Sequence, residues 1–69
     1  MEEIIFVVEE SDEGGYIAKA LGESIVTEAD SMDELKGAVK DAVHCHFDND
    51  LLRPKMIRLH LVKDEVFAA

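Results

Sequence analysis

The sequence has few of the residues that form stabilising cross-links in small proteins. It has one cysteine among 69 residues, so no internal disulfide can form, and it lacks the paired Cys/His clusters that hold structural metals. A chain this short often needs a disulfide, a metal or a partner subunit to supplement its small core. We therefore expect self-association to be the supplement and predict a homo-oligomer, either a dimer or a tetramer.

Long hydrophobic runs and basic residues are also scarce. No apolar run approaches the roughly 18–20 residues needed to cross a bilayer, and the acidic start Met-Glu-Glu has the wrong sign for a signal peptide. We expect a cytoplasmic protein with no membrane partner. The sequence has 7 Lys and Arg residues but 16 Asp and Glu residues, which gives a net charge of −9. This charge disfavours direct binding of nucleic acid. The same charge would attract a basic partner or would merely keep the protein soluble.

A glycine-rich loop for a nucleotide or cofactor is missing as well. Of the four glycines, Gly14 and Gly15 are adjacent, but they lie in a short turn between two predicted strands. The sequence thus predicts no cofactor. Because 48% of the residues are hydrophobic, the chain is not disordered by composition, and we expect residues 1–69 to form a single domain.

One long helix is predicted within residues 30–47. Ser31 is a favourable N-cap, and Glu34 three residues later completes a capping box. Asp33 and Glu34 also place negative charge at the positive end of the helix dipole. Spacings of three and four then produce an apolar stripe, formed by Met32, Leu35, Val39, Ala42, Val43, His46 and Phe47.

Four strands accompany this helix. The β-branched and aromatic run at residues 4–8 predicts a central strand, and alternation at residues 56–62 predicts a strand with two different faces. Two further strands are expected at residues 16–21 and 24–29, and a turn at Lys63 to Glu65 would allow a short final strand at Val66 and Phe67.

This order predicts an α+β fold of the β-β-β-α-β type. A right-handed crossover through the helix returns the last strand parallel to the first. The result is a mixed four-stranded sheet in the order 3-2-1-4, with one helix on one face. On the opposite face the last strand presents Met56, Arg58, His60 and Val62. Exposed apolar sheet faces often mark interfaces, so we predict that these four residues form the oligomer face. His60 there would make assembly sensitive to pH.

The run His44-Cys45-His46 resembles a metal or catalytic cluster only at first sight. Successive helical residues are about 100° apart, so the two imidazoles point to nearly opposite sides and cannot chelate one ion. His46 lies on the apolar stripe, where we expect it to pack and to bond a backbone carbonyl. Cys45 has no adjacent general base. The sequence therefore predicts no catalytic residue and no metal ligand, and the chain is not expected to be an enzyme.

Acidic residues surround the first turn, at Glu9, Glu10, Asp12 and Glu13. They form either a solvated hairpin or a docking site for a basic protein.

The order of motifs resembles the HicB-like antitoxin domain over about residues 3–62. The matching features are Glu-Glu-x-Asp-Glu-Gly-Gly-Tyr at 9–16 and the helix start Thr-Glu-Ala-Asp-Ser-Met-Asp-Glu-Leu at 27–35. The resemblance implies a truncated ribonuclease-H-type fold and a small basic RNA-cleaving toxin as partner, bound at Glu9, Glu10, Asp12 and Glu13. The carboxylates of a ribonuclease-H metal site are missing, since the first strand is Ile-Ile-Phe-Val-Val.

Two departures qualify this resemblance. The loop at residues 21–24 is shorter than in many HicB-like domains, and we expect no C-terminal DNA-binding module. An orphan oligomeric scaffold without a toxin partner is therefore the alternative function.

Overall fold

Five elements follow one another in the predicted order in the computed structural model, which describes residues 2–69. They are β1 (Glu3–Glu10), β2 (Tyr16–Ala20), β3 (Val26–Ala29), α1 (Met32–His46) and β4 (Met56–Val62). The strands form one mixed sheet in the order β3-β2-β1-β4. The predicted fold class and strand order are confirmed.

Strand β1 lies in the centre of the sheet, as its apolar sequence predicted. It pairs antiparallel with β2 and parallel with β4. Side chains alternate between the two faces of a strand, so Ile4, Phe6 and Val8 point toward the helix, where all three are buried. Ile5 and Val7 point to the opposite face and are only half-buried. We call that opposite side the open face.

The helix begins where the capping pattern placed it. The Glu34 N–H donates to Ser31 Oγ at 3.1 Å, and Ser31 has an extended backbone conformation. The reciprocal bond, in which the Ser31 N–H would donate to the Glu34 carboxylate, is not formed among the described residues. Leu35, Val39 and Val43 of the predicted stripe are buried and form the helix side of the core.

The helix lies across β2 and β3 rather than over the middle of the sheet. Its buried side chains pack with those of β1 and with Ala18 and Ile25. The helix-side face of β4 is covered less well: Ile57 and Leu59 are half-buried, and Leu61 is 58% exposed. One side of the sheet therefore contains a closed core next to a partly open apolar strip.

The turn between β1 and β2 depends on its glycines. Gly14 and Gly15 have φ values of +91° and +83°, a region that residues with a side chain rarely adopt. The Ser11 N–H donates to the Gly15 carbonyl at 3.0 Å and closes the turn. A Cβ on Gly15 would lie 2.6 Å from the Ala29 carbonyl oxygen, whereas one on Gly14 would meet open space. Gly15 thus lets the turn approach the end of β3.

The predicted short strand at Val66 and Phe67 does not form. Residues 63–69 have no regular structure, and the two side chains are 97% and 86% exposed. A strand needs a hydrogen-bonding neighbour, and residues 63–69 make no backbone hydrogen bond outside the sheet ladders within the described part of the chain. The described chain measures 51 Å along its longest axis and about 20 Å across. An eight-residue strand spans only about 26 Å, so segments outside the strands contribute to the longest dimension.

The predicted bounds of two strands also change. β2 ends at Ala20 rather than at residue 21, although the Leu21 N–H still donates to the Ile5 carbonyl at 2.9 Å. β3 begins at Val26 rather than at residue 24. Ile25 is buried under the helix, and its carbonyl accepts from the Ala20 N–H in the tight connection between the strands.

Candidate functional site

Acidic residues from distant parts of the sequence meet at one edge of the sheet. β3 and β4 both run in the direction of β1, so the carboxyl ends of these three strands lie at the same edge. The turn after β1 and the first turn of α1 lie there too. The topology therefore gathers the charge of the first hairpin with charge from later elements.

Three of the four predicted hairpin carboxylates line one small cleft at this edge. Glu9, Glu10 and Asp12 lie there with Val62, Lys63 and Asp64, around a volume of about 290 Å³. Glu13 lies elsewhere.

Glu13 lines a second, neighbouring concavity of about 530 Å³, together with Tyr16, Glu28, Asp30 and Glu34. The eight carboxylate-bearing residues of the two concavities are the acidic edge: Glu9, Glu10, Asp12, Glu13, Glu28, Asp30, Glu34 and Asp64.

Half of this acidic edge was missed by the sequence analysis. Glu28, Asp30, Glu34 and Asp64 join the hairpin only because the strands and the helix bring them to one edge. The predicted strand order contained the necessary signal, since it already put the ends of the first, third and fourth strands together.

The acidic edge is almost free of compensating positive charge. Among residues 2–69, Lys63 is the one Lys or Arg that lines either concavity, and its Nζ lies 4.0 Å from the Glu65 carboxylate. Among residues 2–69, none of the four hairpin carboxylates has a Lys, Arg or His nitrogen within 4.0 Å. Clustered like charges in a concave surface focus an attractive potential for cations.

The open face carries the second predicted surface. Met56, Arg58, His60 and Val62 share this face with β1, and the register sets Arg58 opposite Ile5 and His60 opposite Val7. Met56 is 64% exposed. The structure thus places the four predicted residues on one face, beside further apolar side chains of β1, β2 and β3 at Ile5, Val7, Ile17, Leu21 and Val26.

Arg58 is engaged within its own chain. Its Nε and a terminal guanidinium nitrogen donate to the two carboxylate oxygens of Glu3 at 2.8 and 3.2 Å. This bidentate bond from Arg58 holds the pKa of Glu3 below its usual value and raises the pKa of Arg58. Arg58 therefore adds no uncompensated charge to the open face.

The predicted hydrogen bond of His46 to a backbone carbonyl is wrong. The His46 side chain is 37% exposed, and Nε2 lies 3.1 Å from a carboxylate oxygen of Glu23 rather than from a backbone carbonyl. The ring also packs edge-on against Phe47, with centroids 4.9 Å apart. His46 is the last residue of the helix. Cys45 is exposed.

Residues 2–69 contain no group of three His, Cys, Asp or Glu side chains arranged to hold a metal ion. None of the helical structure in this range is both long and apolar enough to span a membrane.

Comparison with known proteins gives two close relatives of the same family. The chain is 58% identical over 53 residues to a UPF0150 protein of Archaeoglobus fulgidus, covering 77% of each chain. It is 45% identical over 67 residues to a UPF0150 protein of Thermotoga maritima, covering 97% of this chain and 93% of the relative. No protein-family model and no solved structure matches it. The identity and coverage show that the chain belongs to the UPF0150 family.

Proposed function

We propose that the chain is a cytoplasmic, non-catalytic interaction domain whose acidic edge binds a small basic protein. This proposal is supported by eight carboxylate residues that line two neighbouring concavities. Within residues 2–69, Lys63 is the single basic residue that lines them. A partner rich in Lys and Arg would be steered to this edge and held by ion pairs across the contact. The open concavities also leave room for long basic side chains.

The resemblance to HicB-like antitoxins supplies the chemistry of that partner. A protein that cleaves RNA must present Lys and Arg side chains to phosphate groups. Carboxylates of the acidic edge would occupy the positions that phosphates take on such a surface, and the bound domain would exclude RNA. In this function the chain inhibits by covering its partner and needs no chemistry of its own.

A capture experiment with matched charge variants tests this proposal. The immobilised chain is exposed to lysate from its own organism at several salt concentrations, and retained proteins are identified by mass spectrometry. The test variant is Glu10→Gln/Asp12→Asn, which neutralises two carboxylates of the cleft. The control is Asp41→Asn/Asp48→Asn, which removes the same charge from exposed positions outside the acidic edge.

The expected result is a small basic protein that wild type and the control retain and that the test variant loses. Retention should fall as salt shortens the Debye length below about 10 Å. The purified partner should cleave RNA, and added chain should suppress the cleavage. The proposal would be contradicted by retention that does not change with salt concentration and is equal for the test variant. Cleavage of RNA that continues with saturating chain present would also contradict it.

Self-association through the open face is the second part of the proposal. Exposed Met56 and Val62 support it, because apolar sheet surface gains from burial against a second copy. Light scattering at tens of micromolar should report a defined dimer or tetramer. Met56→Lys/Val62→Lys should lower the mass, whereas Leu51→Lys/Leu52→Lys, at two exposed loop positions, should not.

A monodisperse monomer would contradict this second part. A stable oligomer that captures no basic partner would instead favour the alternative function, an orphan oligomeric scaffold. The open face favours that alternative, since it supports self-association without reference to any other protein.

A further inference from the structure

An apolar groove runs between the helix and the last strand, on the side of the sheet opposite the open face. Its walls include Met32 and Val39 of α1 and Ile57, Leu59 and Leu61 of β4, and its volume is about 550 Å³. This volume lies within the roughly 300–1,000 Å³ range of sites that bind drug-sized ligands. The groove exists because α1 lies over β2 and β3 and leaves this face of β4 partly uncovered.

Two lysines give the groove a charge opposite to that of its surroundings. Lys36 and Lys40 also line it, although residues 1–50 contain only three lysines beside 14 Asp and Glu. Within residues 2–69, neither lysine has a carboxylate oxygen within 4.0 Å. An occupant that combines apolar side chains with carboxylates would complement both features of the groove.

Residues 63–69 have this composition. Val66 and Phe67 are two almost fully exposed apolar side chains, and they follow directly after Asp64 and Glu65. The segment makes no regular structure with its own chain. It contains no glycine or proline to reverse its direction after Val62, and within residues 2–69 it makes no backbone hydrogen bond to its own chain outside the sheet ladders. A second copy is therefore better placed than the same chain to receive it.

We propose that the groove between α1 and β4 binds residues 63–69 of a second copy of the chain. Val66 and Phe67 fill the apolar part, and Asp64 and Glu65 pair with Lys36 and Lys40. A two-fold axis makes the exchange reciprocal, so each chain gives one segment and receives one. The proposal does not depend on the acidic edge, which keeps its hairpin carboxylates whatever course residues 63–69 take.

Photo-crosslinking between isotopically distinct chains tests the exchange. Phe67 is replaced by benzoylphenylalanine, and these chains are mixed with ¹⁵N-labelled wild type before irradiation. Mass spectrometry should find crosslinks from position 67 of the light chain to residues 32–40 or 57–61 of the heavy chain. Crosslinks found only within one chain would show that the segment folds back on itself, and no crosslink to these residues would show that the groove is not its site; either result overturns the proposal.

Charge reversal gives the specific control. Lys36→Glu/Lys40→Glu in the heavy chain should reduce the crosslink yield roughly tenfold, because two favourable ion pairs become repulsive. The yield should recover when the light chain carries Asp64→Lys/Glu65→Lys. Lys55→Glu/Leu51→Glu/Leu52→Glu makes the same change of net charge at exposed positions outside the groove and should leave the yield unchanged. An equal loss in both charge variants, or no recovery, would contradict the proposed pairing.

The apolar contribution is measured separately by sedimentation. Phe67→Ala should raise the dissociation constant of the assembly at least roughly tenfold, since it removes an aromatic side chain from each groove. Leu51→Ala is the matched control because Leu51 is 89% exposed, as Phe67 is 86% exposed, and should leave the constant unchanged. Both substitutions are at the surface, so the fold is retained. Equal effects of the two variants would overturn the role of Phe67.

Discussion

The two halves of the helix side of the sheet differ in how completely the chain covers them. Under α1, the side chains of Phe6, Ala18 and Leu35 have no solvent exposure. Beside α1, the equivalent face of β4 has Leu61 more than half exposed and a groove next to Leu59. The first half is complete within one chain, and the second half is available to another molecule.

The cause of this difference is geometric. A helix with its side chains is about 10–12 Å wide, and neighbouring strands are about 4.8 Å apart, so one helix covers about two strands. Only Asp30 and Ser31 separate β3 from α1, which keeps the helix start above the β3 side. A four-stranded sheet with a single helix attached in this way must leave its far edge strand uncovered.

The strongest test of the comparison is the same substitution made in each half. Leu35→Ala in the covered half should lower the free energy of unfolding by about 2–5 kcal/mol, because it leaves a cavity in a closed core. Leu61→Ala beside the groove should cost no more than about 0.5 kcal/mol, since that side chain is largely exposed. Urea unfolding at one fixed chain concentration measures both. Similar losses would mean that the β4 half is packed as well as the other.

Adjacent glycines give the next test, at the hairpin that abuts β3. Gly14→Ala should cost about 1–2 kcal/mol from its positive φ alone. Gly15→Ala carries the same penalty and should cost another roughly 1–3 kcal/mol, because its Cβ meets the Ala29 carbonyl oxygen. Thermal or urea unfolding of the two variants compares them directly. Equal losses would show that the close approach of Gly15 to β3 does not affect the free energy of unfolding.

The N-cap tests how firmly the helix start is fixed in the covered half. Ser31→Ala removes the acceptor of the Glu34 N–H and should cost about 1 kcal/mol. Ser24→Ala is the control, because Ser24 is exposed and makes no side-chain hydrogen bond among the described contacts. A loss of stability as large at Ser24 as at Ser31 would remove the helix cap as the explanation.

The smallest effect is expected at acid pH, on the open face of β4, the strand that α1 leaves uncovered on its other side. The carboxylate of Glu3 bonds Arg58 of β4, which lowers the pKa of Glu3. Its contribution is therefore fully present above the ordinary glutamate pKa of about 4.3 and is lost as pH falls through the lowered value. The difference in stability between wild type and Glu3→Gln should shrink over that window. A difference that is constant from pH 6 to pH 2 would contradict the pairing.

Local signals in the sequence were sufficient for much of this fold. Ser31 and the spacing of Leu35, Val39 and Val43 located the helix, because capping and amphipathicity act within a few residues. The apolar run of β1 and the crossover rule then determined the strand order. Only half of the expected capping box formed, because an exposed Glu34 carboxylate can also be solvated by water.

Features that depend on distant residues were harder to predict. Glu23 lies 23 positions before His46, and no local pattern relates the two. The acidic edge needed the three-dimensional alignment of three strand ends, so Glu28 and Asp64 were not recognised beside the hairpin. The uncovered groove depends on the lateral position of the helix over the sheet. The sequence pattern predicted only that the helix lies on one face of the sheet.

The one-sided position of the helix has a consequence for how the molecule opens. Among the strands of residues 2–69, β4 is an edge strand whose one neighbour in the sheet is β1, and it joins that partner from more than 50 residues away in sequence. With little helix packing to hold it, its amide protons should exchange with solvent sooner than those of β1 and β2, since weakly packed segments open in local fluctuations below the global unfolding energy. Detachment of β4 would be the first step of unfolding. Occupation of the groove would slow exchange in this strand before it changed any other part of the molecule.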